Sequence, residues 1–94
     1  MNINQFINRV SFLDKVLFAK NLALMIKAGL PLRESIATIQ EQSKSKTFKK
    51  ILDDILRNID NGQPLAASLS RHPQVFDNLY INMIKVGEES GTLE

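Results

Sequence analysis

The clearest alternation of apolar and polar positions lies in the middle of the chain, over residues 48–59. Six apolar residues there follow intervals of 3, 1, 3, 1 and 3, with charged residues between them. Since an α-helix has about 3.6 residues per turn, this spacing predicts a helix with one buried face. On the opposite side, Lys50 with Asp54 and Asp53 with Arg57 have the four-residue separation of helical ion pairs. The predicted buried residues are Phe48, Ile51, Leu52, Ile55, Leu56 and Ile59.

A longer apolar helix is predicted to begin at Ser11, where Ser11 and Asp14 have the spacing of a capping box. One apolar stripe runs along it, and further apolar residues widen the stripe on both sides. This pattern predicts a central helix contacted on more than one side, with Lys15, Lys20 and Lys27 left for solvent. The stripe consists of Phe12, Val16, Ala19, Ala23 and Ile26, and it is widened by Leu13, Leu17, Leu24 and Met25.

The stretch LALMIKAGLPL, residues 22–32, predicts a sharp corner at the end of this helix. Gly29 can adopt a left-handed conformation without a Cβ penalty, so it is a natural helix terminator. Pro31 has a fixed φ and no amide hydrogen, which suits the first turn of the next helix. We expect that second helix to run from about Pro31 to Gln42, and Ser45 to cap the third. The buried residues of the second helix are predicted to be Leu32, Ile36 and Ile39.

Two further helices are expected in the last third of the chain. Asn61 and Gly62 close the third helix, and Pro64 opens a short fourth one that carries Leu65, Ala66 and Leu69. The fifth is expected to run from about Phe76 to Glu89 and to end at Gly91. Residues 92–94 resemble the start of another helix, which we interpret as a truncation. The predicted inner face of the fifth helix consists of Phe76, Leu79, Tyr80, Met83, Ile84, Val86 and Gly87.

No segment has the two-residue period of a strand, so the predicted fold class is all-α: one compact bundle of five to six short antiparallel helices. Residues 1–10 carry a weaker helical pattern with Ile3, Phe6, Ile7 and Val10 on one side. Ninety-four residues are enough for a single hydrophobic core without disulfides or metals. The absence of cysteine excludes disulfides, thiolate nucleophiles and cysteine-based zinc sites.

The net charge of +2 combines a basic half, +6 over residues 1–50, with an acidic half, −4 over residues 51–94. Such a polarised charge distribution concerns docking more than folding. The longest unbroken apolar run covers only residues 22–26, far short of the ~18–20 residues that span a bilayer. Charged residues also interrupt any signal-peptide pattern in the first 30 positions. We therefore expect the chain by itself to be soluble.

The sequence offers no constellation that predicts catalysis. His72 is the only histidine, it lies beside Pro73, and the nearest acid in sequence is Asp77. The acidic neighbours 53–54 and 88–89 diverge by about 100° on a helix, so neither pair forms an acid–base couple. No spacing calls for a metal ion, and the glycines are too dispersed for a phosphate-binding loop. We expect no enzyme activity, cofactor or metal, although a carboxylate such as Glu88 could meet a divalent cation at an interface.

A basic segment formed by Lys44, Lys46, Lys49 and Lys50 raises a nucleic-acid alternative. The third helix alternates these lysines with aspartates that phosphates would repel, which argues against a recognition helix. We expect no nucleic acid among the partners, but the alternative of a basic helical nucleic-acid-binding module remains open. Gly87, inside a regular helix, costs ~1 kcal/mol relative to alanine and indicates a close helix approach or an interface.

Several motifs together resemble one known family. AGLPL at residues 28–32, NGQPLAASL at 61–69, HPQVF at 72–76 and LYINMIKVGEESGTLE at 79–94 occur in its order and spacing. The chain from Phe18 to Glu94 is similar to the type II secretion F domain. This is the cytoplasmic domain of the polytopic inner-membrane platform proteins of type II secretion systems and type IV pili. The resemblance divides the chain into a variable N-terminal amphipathic segment, 1–17, and an F domain, 18–94, whose last helix is missing.

This resemblance implies a non-catalytic scaffold at the cytoplasmic face of the inner membrane, within a multi-pass parent protein. Its implied partners are the cytoplasmic assembly ATPase, other platform proteins and pilin or pseudopilin, and we expect a homodimer or higher oligomer. Secretion, pilus assembly and DNA uptake stay open as the parent's process. The motif residues carried over are mostly architectural: Ala28, Gly29, Pro31, Leu32, Gly62, Leu65, Leu69, Pro73, Phe76, Tyr80, Met83, Gly87, Glu88, Ser90, Gly91 and Leu93.

Charge alone indicates where partners would bind. We expect Glu88 and Glu89, with Asp53 and Asp54, to form an acidic docking surface. The basic counterpart would be the segment 44–50, with Lys46, Lys49 and Lys50 as candidate contacts. A membrane-surface role for residues 1–17 is a third possibility, which their mixed charge argues against.

Overall fold

The computed structural model describes the backbone of residues 10–90 and the side chains of residues 10–86. Five helices follow one another within this range, and no strand occurs in it, which confirms the all-α prediction. The expected pattern in residues 1–9, the terminator at Gly91 and the truncated helix at 92–94 lie outside the described residues. The helices are α1 (Phe12–Lys27), α2 (Leu32–Gln42), α3 (Lys46–Asp60), α4 (Leu65–Leu69) and α5 (Asn78–Ser90).

The core is built around three phenylalanine rings from distant parts of the chain. Phe18 of α1 lies 5.8 Å from Phe48 of α3 and 6.0 Å from Phe76, measured between ring centroids. Phe48 and Phe76 are 6.4 Å apart, and Tyr80 packs 5.3 Å from Phe76. These separations are those of favourable aromatic pairs. The cluster therefore joins α1, α3 and the segment before α5 in one core, whose most deeply buried other members are Leu22, Ile36, Leu52, Ile55, Leu65 and Leu69.

Helix α3 follows the predicted pattern closely. Five of its six expected core residues are buried, and Ile59 is half-buried. Ser45 caps the helix as expected, since its side-chain oxygen accepts a hydrogen bond from the Phe48 amide at 3.1 Å. The capping box of α1 is also confirmed: Ser11 Oγ accepts from the Asp14 amide, and Asp14 accepts from the Ser11 amide.

Both predicted corners share one local structure. Gly29 and Gly62 have φ of 98° and 88°, the left-handed conformation that terminates α1 and α3. At each corner the amides of the glycine and of the next residue bond back to helical carbonyls, in the pattern of a Schellman motif. Pro31 and Pro64 follow two residues later, in extended conformation, as N-caps of α2 and α4. The helices thus begin at Leu32 and Leu65, one residue later than predicted.

The two corners are repeats of the pattern G-x-P-L-x-x-S, at residues 29–35 and 62–68. The serines Ser35 and Ser68 are 0% and 1% exposed, and each hydroxyl donates to the carbonyl of the proline four residues earlier. A buried hydroxyl without a partner would be costly, so this bond permits a serine on the core side of each helix. The repeat therefore ends one helix, begins the next and places a residue of its first turn toward the core.

The expectation that α1 is central and contacted on more than one side is wrong. Only Phe18 and Leu22 of this helix are fully buried, and neither belongs to the predicted stripe. Of the predicted residues, Ile26 of the stripe and Met25 of its margin are half-buried and pack against the core. The side chains of the stripe and its margins include Phe12, Leu13 and Leu24, which are 77%, 61% and 55% exposed. Because apolar residues surround α1, their spacing does not show which side of the helix faces the core. The other members on the outside are Val16, Leu17 and Ala23.

The predicted inner face of α5 is also partly wrong. Leu79, Met83 and Val86 are 71%, 67% and 64% exposed, whereas Ile84 is buried and Tyr80 and Ile81 are half-buried. The helix begins at Asn78 rather than at Phe76. Asp77 stands before it, and its carboxylate accepts a hydrogen bond from the Tyr80 amide at 2.8 Å, as an N-cap does. Phe76 is therefore a core residue of the preceding turn.

Candidate docking surface

The predicted basic residues lie together at the start of α3. Lys46, Lys49 and Lys50 are in its first two turns and exposed, and Lys44 is exposed in the loop before it. No acidic residue occupies that first turn. Positive charge at a helix N-terminus is unfavourable because the macrodipole is positive there. The charges of these lysines therefore gain no stabilisation from the macrodipole, and the exposed side chains form a basic patch available to an acidic partner.

The two aspartates of the proposed acidic surface have different environments. Asp53 is exposed and lies 3.7 Å from Arg57, as the four-residue spacing predicts. Asp54 is only 26% exposed, and its carboxylate accepts a hydrogen bond from His72 Nε2 at 2.7 Å. Arg71 lies 3.5 Å from the same oxygen. The expected Lys50–Asp54 pair is not among the ion pairs of the described residues, because Asp54 faces the turn after α4.

The hydrogen bond from His72, together with the nearby charge of Arg71, holds the pKa of Asp54 below its ordinary value of 3.8. Sequence reasoning considered Asp77 as the acid nearest to His72, whereas the structure brings Asp54 to it from 18 residues upstream. This contact ties the turn after α4 to the outer side of α3. No local pattern could have indicated it, since it depends on the α3–α4 corner.

The lowered pKa of Asp54 predicts a pH-dependent contribution to stability. A carboxyl group whose pKa is depressed in the folded state stabilises the fold. Its full contribution is present above the unfolded pKa of about 3.8, and it is lost as the pH falls through the folded pKa. We expect Asp54→Asn to lower the free energy of unfolding by on the order of 1 kcal/mol at pH 6. Urea denaturation from pH 6 to pH 2.5 should show the difference shrinking below pH ~4.

Asp53→Asn is the matched control, because Asp53 lies on the same helix but makes only an exposed pair. Its effect should stay within a few tenths of a kcal/mol across the range. A difference between wild type and Asp54→Asn that persists unchanged at pH 2.5 would contradict a role for the ionised carboxylate.

Another ion pair connects the two corners. Arg33 Nε lies 2.6 Å from Asp60 Oδ1, and Arg33 Nη2 lies 3.2 Å from Oδ2, which is a bidentate arrangement. The hydrogen bonds lower the pKa of Asp60 and raise that of Arg33. No local sequence pattern predicts this pair, whose members are 27 residues apart. It joins the first turn of α2 to the last turn of α3 at the surface.

The described residues contain no group of three histidine, cysteine, aspartate or glutamate side chains placed to hold a metal ion. A groove of about 830 Å³ between α4 and α5 has one titratable side chain in its lining, that of Lys85. The same lining includes Ser70, whose hydroxyl donates a hydrogen bond to the Ala66 carbonyl at 2.9 Å.

Comparison with known proteins decides the family. Residues 18–94 match the family described as Type II secretion system (T2SS), protein F. The chain belongs to the type II secretion protein F family. It is 40% identical over 86 residues to the type IV pilus assembly protein PilC of Pseudomonas aeruginosa, covering 92% of this chain and 23% of that protein. It is 33% identical over 85 residues to type II secretion system protein F of Vibrio cholerae, covering 90% of this chain and 21% of that protein.

A third relative, PilC of Thermus thermophilus, is 33% identical over 81 residues, which are 86% of this chain and 20% of that protein. The chain thus spans about a fifth of the length of these curated relatives. Among residues 10–90, no helix is long and apolar enough to cross a membrane.

The motif residues of this protein F domain fall into distinct structural roles. Gly29 and Gly62 occupy the left-handed corners, with Ala28 as the C-cap of α1 and Pro31 as the N-cap of α2. Leu65, Leu69 and Phe76 are fully buried, and Leu32 and Tyr80 are half-buried. Pro73 is exposed in the turn before α5, and Met83 is exposed on α5. Met83, Phe12, Val16 and Leu79 line a groove of about 510 Å³ between α1 and α5.

The remaining candidate residues are described only in part. Gly87, Glu88, Glu89 and Ser90 belong to the last turns of α5, and their side chains lie outside the described residues. Gly91 and Leu93 lie outside them altogether. Whether Glu88 and Glu89 join Asp53 in one acidic surface therefore stays a prediction. The Tyr80 hydroxyl lies 3.5 Å from the Lys15 carbonyl, a contact that joins α5 to α1. Burial of the Tyr80 side chain raises its pKa.

Proposed function

We propose that this protein F domain is a non-catalytic scaffold of the assembly platform for type II secretion or type IV pili. The observation that carries this proposal is the match over residues 18–94, together with relatives named as PilC and as type II secretion system protein F. The domain would lie at the cytoplasmic face of the inner membrane as part of a multi-pass protein. Its partners would be the assembly ATPase, sister platform proteins and pilin or pseudopilin, with self-association into a dimer or higher oligomer.

Two features of the surface support a docking role. The lysines at the start of α3 are exposed and lie where positive charge interacts unfavourably with the helix macrodipole, and Asp53 is exposed one turn further on. Complementary charges of this kind act on association rate and specificity more than on the stability of the fold. Asp54 is a weaker candidate, because its carboxylate already accepts the hydrogen bond from His72.

The test is a titration of the isotopically labelled 94-residue chain with the N-terminal domain of the assembly ATPase, following amide shifts. Duplex DNA is added in a parallel titration. Saturable shifts with the ATPase domain alone would support the scaffold proposal and locate the contact. Shifts with DNA alone, and an affinity that falls steeply with salt, would replace it by the nucleic-acid alternative. Silence in both titrations would count against direct docking by this domain.

We expect the variant Glu88→Lys/Glu89→Lys to weaken binding of the ATPase domain by on the order of tenfold, through like-charge repulsion at the interface. The matched control is Glu34→Lys/Glu41→Lys, which makes the same change in net charge at exposed positions of α2. Isothermal titration calorimetry compares the two. An unchanged affinity for the first variant, or an equal loss in both, would remove Glu88 and Glu89 from the docking surface.

A further inference from the structure

The outward side of α1 has an unusual composition for a helix that faces solvent. Eight of its residues are exposed, six of them apolar and two of them lysine, and none is acidic. Helices at a protein surface normally present charged and polar residues on this side, and contiguous apolar patches mark places where another molecule binds. The exposed residues are Phe12, Leu13, Val16, Leu17, Lys20, Ala23, Leu24 and Lys27.

Five of these residues repeat with the period of a helix–helix interface. Leu13, Leu17, Lys20, Leu24 and Lys27 follow intervals of 4, 3, 4 and 3, and we call them the outer seam. A 4–3 repeat keeps side chains on one line along a helix, where they pack against a second helix. At 1.5 Å per residue the seam extends over about 21 Å, or four turns. It is therefore long enough to dock a helix along its whole length.

We propose that the outer seam binds an amphipathic helix of a partner protein, in which apolar residues face the seam leucines and carboxylates seven residues apart face Lys20 and Lys27. Residues seven positions apart lie two turns apart on the same side of a helix, so one carboxylate can meet each lysine. None of the ion pairs formed among the described residues includes Lys20 or Lys27. Both ammonium groups are thus available to an acidic partner.

The charge of the seam argues against a second copy of this chain as the occupant. Lys20 lies at the midpoint of the outer seam, with Leu17 and Leu24 on either side. An antiparallel pair with full overlap would place Lys20 against Lys20 of the other copy. A parallel pair in register would oppose both lysines to their equivalents. Like charges facing each other across an interface are destabilising, so either arrangement is disfavoured.

The position of the lysines also argues against a bilayer as the occupant. Helices that lie on membranes carry lysine on the polar face, away from the side that enters the acyl region. In α1, by contrast, Lys20 and Lys27 lie within the apolar face and would enter deepest, while the opposite face holds Phe18 and Leu22 in the core. An acidic helix satisfies the apolar and the charged positions at once.

The test uses two synthetic 21-residue helical peptides with leucine at 4–3 positions, which differ only in having glutamate or lysine at two sites seven residues apart. Fluorescence anisotropy with the 94-residue chain should show at least tenfold tighter binding of the glutamate peptide. Lys20→Glu/Lys27→Glu should reverse this preference. The control Lys46→Glu/Lys50→Glu has the same net charge but changes α3, and it should keep the original preference.

Leu17→Gln/Leu24→Gln should abolish binding of the glutamate peptide, which separates seam packing from simple charge attraction. All substituted residues are exposed, and circular dichroism verifies that each variant is folded. Equal binding of both peptides, or a preference unchanged by Lys20→Glu/Lys27→Glu, would overturn the proposal. So would dimerisation in analytical ultracentrifugation that Leu17→Gln/Leu24→Gln abolishes, or binding to phosphatidylglycerol vesicles that this variant abolishes. The inference goes beyond the scaffold proposal, whose candidate contacts are at residues 44–54 and 88–89 and are tested separately.

Discussion

Replacing Phe18 by alanine is expected to lower the free energy of unfolding by about 3–5 kcal/mol. Phe18 is 0% exposed and contacts both Phe48 and Phe76, so its removal opens a cavity where three segments of the chain meet. The stability of a small domain is typically about 5–15 kcal/mol, and a loss of this size would leave little of it. Urea denaturation followed by circular dichroism measures the change.

Phe12→Ala is the matched control, since it makes the same substitution on the same helix at a side chain that is 77% exposed. Its effect should remain within about 0.5 kcal/mol. Comparable losses in the two variants would mean that the outward side of α1 is packed in the folded protein. The stripe predicted from the sequence, which includes Phe12, would then be correct after all.

This pair of substitutions also shows where sequence reasoning succeeds and where it stops. In α3, apolar and charged residues occupy opposite sides, so the spacing of Phe48, Ile51 and Leu52 identifies the core side without further information. In α1, apolar residues surround the helix, and the core side is decided by which other helices fold against it. The burial of Phe18 and Leu22 follows from their contacts with residues far along the chain.

The helix caps and the glycine corners were predictable for the same reason as the buried face of α3. The caps at Ser11 and Ser45 and the corners at Gly29 and Gly62 depend on residues at most a few positions apart. The charged contacts across the fold were not predictable. His72 meets Asp54 only because the α3–α4 corner reverses the chain, and no pattern within either segment contains that information.

The candidate docking residues show this limit most clearly. Charge counting grouped Asp53 with Asp54, yet one carboxylate is available to partners and the other is hydrogen-bonded to His72. It also treated the lysines of α1 as a solvated margin. The structure places Lys20 and Lys27 in the outer seam, beside exposed leucines. This combination can be recognised only when the side of α1 that faces the core is known.

The corners themselves provide the second large expected effect. Gly62→Val should lower the free energy of unfolding by more than Gly62→Ala, for which we expect about 1–2 kcal/mol, the cost of a left-handed conformation in a residue with a Cβ. Gly62→Asn should cost less than either, because asparagine adopts this conformation more readily. Chemical denaturation of the three variants gives the order directly.

This order isolates backbone conformation as the cause. A Cβ built on Gly62 meets nothing within 4 Å, so steric exclusion by neighbouring atoms does not account for the loss expected in Gly62→Ala. Gly29 has the same positive φ and the same open surroundings, and its variants should follow the same order. If valine cost no more than asparagine at either position, the left-handed turn would not be what holds the corner. Since each corner determines which residues of the following helix turn inward, the G-x-P-L-x-x-S repeat would then have to act through Pro64 and Ser68 alone.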